Sequence, residues 1–301
     1  MTPRRATTAG AVLLALLGAL GACETNPRPR TEPVAPARPT PGYAEVAALY
    51  NARAARLSRV WARAVVSIAF RDQDGTRRSE QGEGHFQFVA PADSALSVGK
   101  LGEVYLWVGS DAHRYWLLEP RDPKRGVVGR HELLNESTLD RLGLPAAPLD
   151  LLRVVAVTPM PEQPEPPAAV AWSSDGAMLV VDLPTRRGIW RYWLEPRDML
   201  PQVIELIGPG DEVILSASLE RYERVTLRGQ GGFFPLMPSR VRLTHHESGS
   251  TLSLTLQALS DGGESRLTRE AFDLDALVAL FNIIDLRDAD APTTAPRASA
   301  P

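Results

Sequence analysis

Val104-Tyr105-Leu106-Trp107-Val108, the turn Gly109-Ser110-Asp111, and then Arg114-Tyr115-Trp116-Leu117-Leu118-Glu119 decide the fold. Side chains alternate between the two faces of a strand, so Tyr105, Trp107 and Trp116 cannot all point the same way as Val104, Leu106 and Val108. A sheet wet on one side shows polar residues there. Both faces of these two strands are apolar, so both are covered, one by a helix and the other by a further element.

The same period of two runs outward in both directions. Val66, Ile68 and Phe70 alternate with Val65, Ser67 and Ala69, and Asp74-Gly75 is a hairpin pair. Phe86 and Phe88 alternate with His85 and Gln87, and Leu96 and Val98 with Ser97 and Gly99. These short strands with tight turns predict an antiparallel meander. Residues 43–60, rich in alanine, carry Val46, Leu49, Tyr50, Leu57 and Val60 on one helical stripe, so an N-terminal helix precedes the sheet, with Trp61 at the handover.

Past the first meander, residues 131–142 and 149–157 predict short helices, the first stopped by Gly143. The proline-dense stretch 158–167 predicts an exposed loop. Strand patterns resume from residue 169 and continue to about residue 258, before a last apolar helix at 272–284. Arg191-Tyr192-Trp193-Leu194-Glu195-Pro196-Arg197-Asp198 repeats Arg114 to Asp122 with one leucine fewer, which reads as one strand-and-exit solution used twice. The class is α+β: a curved antiparallel sheet of about ten or eleven strands around an N-terminal helix and short mid-chain helices.

At the N-terminus, Arg4 and Arg5 precede an apolar run from Ala11 to Leu20, then Leu20-Gly21-Ala22-Cys23. That order is a secretory signal, and its middle is too short for a membrane span, which takes roughly 20 apolar residues. Cys23 is the chain's one cysteine, so the exported body carries no disulfide. The boundaries read as a signal peptide at 1–22, a tether at 23–42, a body at 43–286 and a disordered tail at 287–301. Pro33, Pro36, Pro39 and Pro41 keep the tether extended.

Composition sets outer limits. Hydrophobic residues at 44% and charged residues at 23% fit a globular body, and a net charge of −3 gives no nucleic-acid footprint. No catalytic constellation is legible. Gly229-Gln230-Gly231-Gly232 lacks the lysine and helix start of a phosphate loop. His245 and His246 are adjacent on a strand and face opposite sides. The chain is read as a binding protein, not an enzyme, with no metal and no cofactor.

Leu20-Gly21-Ala22-Cys23 resembles the lipobox of bacterial lipoproteins, which implies lipidation of Cys23 and cleavage before it. Glu24 is not the aspartate that marks inner-membrane retention in enterobacterial lipoproteins, which favours the outer membrane. The helix, the meander with two apolar faces, the mid-chain helices and the second meander resemble the half-barrel family of the carrier LolA and the receptor LolB. The likeness includes Gly84-His85-Phe86-Gln87-Phe88-Val89-Ala90-Pro91 and then Leu101-Gly102. It implies a hydrophobic hollow for lipid or lipoprotein acyl chains, with Phe70, Phe86, Phe88, Val104, Leu106, Trp107, Trp116, Trp190 and Trp193 as candidate lining residues. It also implies a membrane-facing role for Leu101, although the connection Lys100-Leu101-Gly102 is much shorter than the receptor's projecting loop. An envelope protein partner bound through the same fold is the alternative. Cys23→Ser should remove the acyl mass and leave residues 1–22 attached in the intact protein; a mass that differs from the parent's only by the Cys-to-Ser change contradicts the lipobox reading.

Overall fold

The computed structural model describes residues 38–71, 76–142, 146–228 and 234–291. The lipobox, most of the tether, Asp74-Gly75, Gly143, the run from Gly229 to Phe233 and residues 292–301 lie outside the described residues.

Helix α1 (Tyr43–Ala54) leads through a 3-10 turn into β1 (Arg59–Arg71), β2 (Arg77–Val89), β3 (Asp93–Lys100), β4 (Glu103–Ser110), β5 (Arg114–Glu119) and β6 (Arg125–Arg130). Short helices α2 (Glu136–Leu142) and α3 (Pro148–Val154) follow. The second run holds β7 (Ala169–Trp172), β8 (Leu179–Thr185), β9 (Gly188–Leu194), β10 (Pro201–Ile207), β11 (Val213–Arg224), β12 (Leu236–His245) and β13 (Thr251–Ser260). Helices α4 (Gly263–Arg266) and α5 (Leu274–Phe281) and the strand β14 (Asp285–Asp288) end the described chain.

Among the described residues, all fourteen strands form one sheet, in the order β14-β6-β5-β4-β3-β2-β1-β13-β12-β11-β10-β9-β8-β7. Two meanders meet along β1 and β13, with Val66 opposite Leu254. The ends, β7 and β14, do not pair, so the sheet is open. It is also curved. Strands stand about 4.8 Å apart, which puts β1 and β9 about 24 Å apart if flat. Yet α1, covalently joined to the start of β1, sets its Tyr50 ring 6.0 Å from that of Tyr192 on β9. The bend brings the two within ring contact.

Strand β1 explains where the expected 43–60 helix stops. Arg59 pairs with Val89 and Val60 with Phe88, so the ladder claims the β-branched Val60 and buries it. The helix ends at Ala54 despite the alanines. The inner faces of β1, β2, β3 and β8 through β13 pack on α1 and on the chain around α3 in one core. Hydrogen bonds lock this filling in place. The Asn51 amide donates to the Met160 carbonyl at 2.8 Å and accepts from the Met160 N–H at 2.8 Å. Arg53 donates to the carbonyls of Ala156 at 2.8 Å and Leu236 at 3.1 Å. The start of the expected proline loop is therefore tied down, and Met160 is buried.

The outer face of β4 to β6 is covered by α5. Trp116, Leu118, Leu274 and Leu277 form a second cluster, with Trp107, Val128 and Phe281 against it. This is the two-sided cover that the apolar strands require. Asp273 caps α5, accepting from the N–H groups of Asp275 (3.0 Å) and Ala276 (3.1 Å), and Asn282 ends it at φ 52°. The helix is accordingly shorter than the apolar run 272–284.

The strand count exceeds the expected ten or eleven for local reasons. In β6, Gly126 and Gly129 hide the alternation. A Cβ on Gly129 would sit 2.5 Å from the Tyr115 hydroxyl, and one on Gly126 2.7 Å from Leu118, so the glycines let β5 side chains lie across β6. Strand β14, Asp285-Leu286-Arg287-Asp288, has one apolar residue in four and pairs with β6 in parallel. It carries the body past residue 286, and Asp290 accepts from the Arg130 N–H at 3.0 Å.

The repeated motif falls on β5 and β9 in the same phase. Tyr115 and Tyr192 point inward and Trp116 and Trp193 outward, since Ser110 faces Tyr115, Gly109 faces Trp116 and Val203 faces Trp193. The outer sides differ. Trp116 is fully buried beneath α5, whereas Trp193 is half-buried and donates to Glu205 at 2.9 Å. Trp116→Ala should therefore cost about 3–5 kcal/mol in urea unfolding and Trp193→Ala less than about 2 kcal/mol; equal losses contradict this assignment of faces.

Candidate functional site

The inner side of the sheet is the natural place for an apolar ligand, and its exposure changes along β1. Val60, Ala62, Ala64 and Val66 are buried, while Ile68 and Phe70, next on the same face, are only half-buried. On β4, Tyr105, Leu106 and Val108 are also half-buried against the same core: the ladder sets Leu106 level with Ala64 and Val108 level with Ala62, while the Tyr105 hydroxyl reaches Gly82, opposite Val66 and one step from Ile68. Leu149 and Leu151 of α3, which packs on β4, border this region. One end of the bent sheet is thus plugged by α1, and the other offers apolar side chains to solvent.

A bulge shapes this patch. The β3–β4 register slips between Val98 and Gly99, so Val98 faces Leu106 but Gly99 faces Val104. Tyr105 therefore turns inward with Leu106, and its hydroxyl lies across Gly82, where a Cβ would approach to 2.5 Å. Val104 instead borders a groove on the outer face.

The candidate residues therefore divide. Phe70 stands half-buried at the far end of β1, and Leu106 is half-buried on the inner face of β4, level with Ala64. Phe86, Phe88 and Trp190 also point inward, but they are buried in the core around α1. Trp190 lies beneath the Arg153 guanidinium, 5.0 Å from its ring centre. Trp107, Trp116 and Trp193 lie on the outer face. Ile68 was in phase with Phe70 in the sequence and belongs with it. Tyr105 had no such signal, because the bulge that turns it inward is invisible in a period of two.

Polar groups line the plugged end. Arg153 donates to the Tyr192 hydroxyl at 2.6 Å, and burial pushes the Tyr50 phenol up to about 12, against the opposing pull of Arg53. The phenol thus stays protonated and donates to the Thr158 carbonyl at 3.3 Å. These are structural bonds, made to the chain itself.

Two further depressions lie elsewhere. A groove of about 880 Å³ crosses the outer face of β13, β1, β2 and β3 and ends at Leu101, with Arg63, Glu83, His85 and Ser97 along it. Leu101 is 98% exposed. Its φ of 55° and that of Gly102, 87°, make a two-residue turn that normally favours asparagine and glycine. A pocket of about 750 Å³ is lined by Leu134, Arg187, Glu212, Ile214 and His246. Adjacent His245 and His246 diverge as their strand position requires. His245 is buried against Ser248, and His246 bonds the Ser216 hydroxyl at 2.8 Å.

The chain aligns over 78% of its length with 97% of a putative outer membrane lipoprotein-sorting protein domain from Vibrio parahaemolyticus, at TM-score 0.52 and 15% identity. The fold is the LolA/LolB-like half-barrel. A LolA superfamily protein from Nitrosomonas europaea aligns with 76% of the chain and 97% of its own, at TM-score 0.49 and 11% identity. A DUF1329 family protein from Desulfovibrio piger aligns with 77% of the chain and 98% of its own, at TM-score 0.46 and 15% identity. No protein-family model matches the sequence, and no curated protein matches it. In this half-barrel the fourteen strands extend the sheet to β14 at one edge and β7 at the other.

Burial holds His131 below the ordinary histidine value, and burial, then the charges of Arg266 and Arg63, do the same for His85. The unfolded chain then takes up these protons first as pH falls through about 6.5, so native stability is lost across and below that window. Urea midpoints at about pH 7.5 and about pH 5.5 should show this decline. His131→Gln should flatten it, and an unchanged slope contradicts the burial argument.

Proposed function

We propose that this chain is a lipid-anchored cell-envelope protein that binds acyl chains of a lipid or lipoprotein on the inner side of its half-barrel. Its place is the outer membrane, facing the periplasm, and its role is in lipoprotein or lipid trafficking. The observation that carries the reading is the loss of burial toward the end of β1, at Ile68 and Phe70, and along β4, at Tyr105 and Leu106, which leaves apolar side chains half-open on the inner face of the curve. Removing a methylene from water is worth about 0.8 kcal/mol, so an acyl chain laid on this surface gains affinity from area, with no charged clamp. Leu101 supports the same reading. It stands almost fully exposed at the matching end of the sheet, where a membrane holding the cargo can meet it. Lipidated Cys23 keeps the body near that membrane.

The runner-up is a scaffold or sensor that binds a protein partner. It is favoured by Phe86, Phe88 and Trp190, whose inner aromatic surface the chain itself already fills. A fluorescent fatty acid separates the two readings. The parent chain should bind it, Phe70→Glu with Leu106→Asp should weaken binding at least about tenfold, and Trp193→Ala should leave it unchanged. Absence of probe binding, with clean masses in native mass spectrometry of detergent-free protein, sinks the carrier reading.

A further inference from the structure

Among the described residues, the large apolar side chains that stand exposed are Leu49, Leu101, Leu133, Leu280, Ile284 and Leu286. Leu280 and Ile284 are each 73% exposed, and both sit where α5 hands over to β14. Helix α5 reads Leu274-Asp275-Ala276-Leu277-Val278-Ala279-Leu280-Phe281. Leu274, Leu277, Val278 and Phe281 cover Trp107 and Trp116, which leaves Leu280 on the other side. A helix that is apolar on both sides is normally buried.

This junction shares a rim with Leu101. The Ile284 N–H donates to the Lys124 carbonyl in the β5–β6 turn at 3.2 Å. From that turn, the Arg121 guanidinium reaches over the Tyr105 ring at 4.9 Å, just beyond the β3–β4 turn that holds Leu101. Leu101, Leu280, Ile284 and Leu286 therefore lie on neighbouring elements at one end of the sheet. Charge there is nearly balanced. Arg287 pairs with Asp285 at 2.7 Å and Arg125 with Glu119, and Lys100 faces Glu103 across the turn, which leaves Arg121, over the Tyr105 ring, and Lys124, near Asp122 in sequence.

We infer that the α5–β14 junction is a second membrane-contact surface, with Leu280 and Ile284 entering the headgroup–acyl boundary of a lipid bilayer beside Leu101. The inference rests on the envelope reading above and adds to it the surface by which the body lies on its membrane. The apolar side chains come from a turn, a helix and a strand end. A fluid bilayer accommodates such separate points without a shape-complementary partner. Reach permits the contact: residues 24–39, at most about 3.5 Å each, span on the order of 50 Å from Cys23. Nearly balanced charge means that contact depends on apolar insertion, and so only weakly on anionic lipid.

Co-sedimentation of the chain from Glu24 onward, which lacks both the apolar signal and Cys23, tests this without an acyl anchor. The chain should sediment with phosphatidylcholine vesicles, and added phosphatidylglycerol should change binding less than about threefold. Leu280→Glu with Ile284→Glu should lower partitioning at least about tenfold while leaving circular dichroism and fatty-acid binding unchanged. Leu280→Ala with Ile284→Ala, which cannot repel the bilayer, should give a smaller loss in the same direction. A parent chain that stays in the supernatant, or a double glutamate variant that binds as the parent does, overturns the inference even if the fatty-acid probe still binds. A concentration-dependent dimer that the same substitutions abolish, with vesicle binding unchanged, assigns the face to a second copy and also overturns it.

Discussion

A single sheet of this width has no second sheet to lie against, so its apolar inner face must curl around something the chain supplies. Helix α1 is that filling. It runs directly into β1 and touches Tyr192 on β9, so it fixes how tightly the sheet bends. The bonds from Asn51 and Arg53 to Met160, Ala156 and Leu236 make the bend more than a hydrophobic collapse. They satisfy carbonyls that would otherwise be stranded inside the curve, where an unpaired acceptor is costly.

Bending in this way makes the two ends of the molecule unequal. Where α1 enters β1, the inner side chains are close-packed, and Asn51 and Arg53 donate to carbonyls of the chain. Toward Leu101 the filling runs out, and the same row of β1 that began with buried Val60 ends with half-buried Phe70. The open end is then a by-product of a filling shorter than the strands it fills: β1 extends for 13 residues, while α1 has 12 residues at less than half the rise per residue.

The sheet was legible in the sequence because a period of two survives any tertiary context, and because apolar residues on both faces of β4 and β5 demanded two covers. Assigning residues to faces was harder. Trp107, Trp116 and Trp193 carry the strongest apolar signal, yet they face outward, since alternation gives relative phase and never says which phase is inside. Only the packing of Val66 and, opposite it, Leu254 into the same core as α1 settles that. Strand β6 was hidden because its glycines are there for Tyr115 and Leu118, not for their own β propensity. The Gly99 bulge was hidden because one extra residue leaves no mark in composition, and it moves Tyr105 into the inner surface and Val104 out of it.

The outer cover follows from the same logic. Trp107 and Trp116 are too large to leave wet, and no second sheet is available, so the end of the chain returns to cover them. A helix long enough to reach from Leu274 to Phe281 covers both indoles, and Asn282 then reverses the chain into β14 along the free edge of β6. That route exposes Leu280 and Ile284, because an eight-residue helix laid over two tryptophans can direct only one side inward. The exposure of this leucine and isoleucine is therefore set by the geometry of the cover, and their apolar character, where polar residues would fit the water outside equally well, is what the packing of the body does not require.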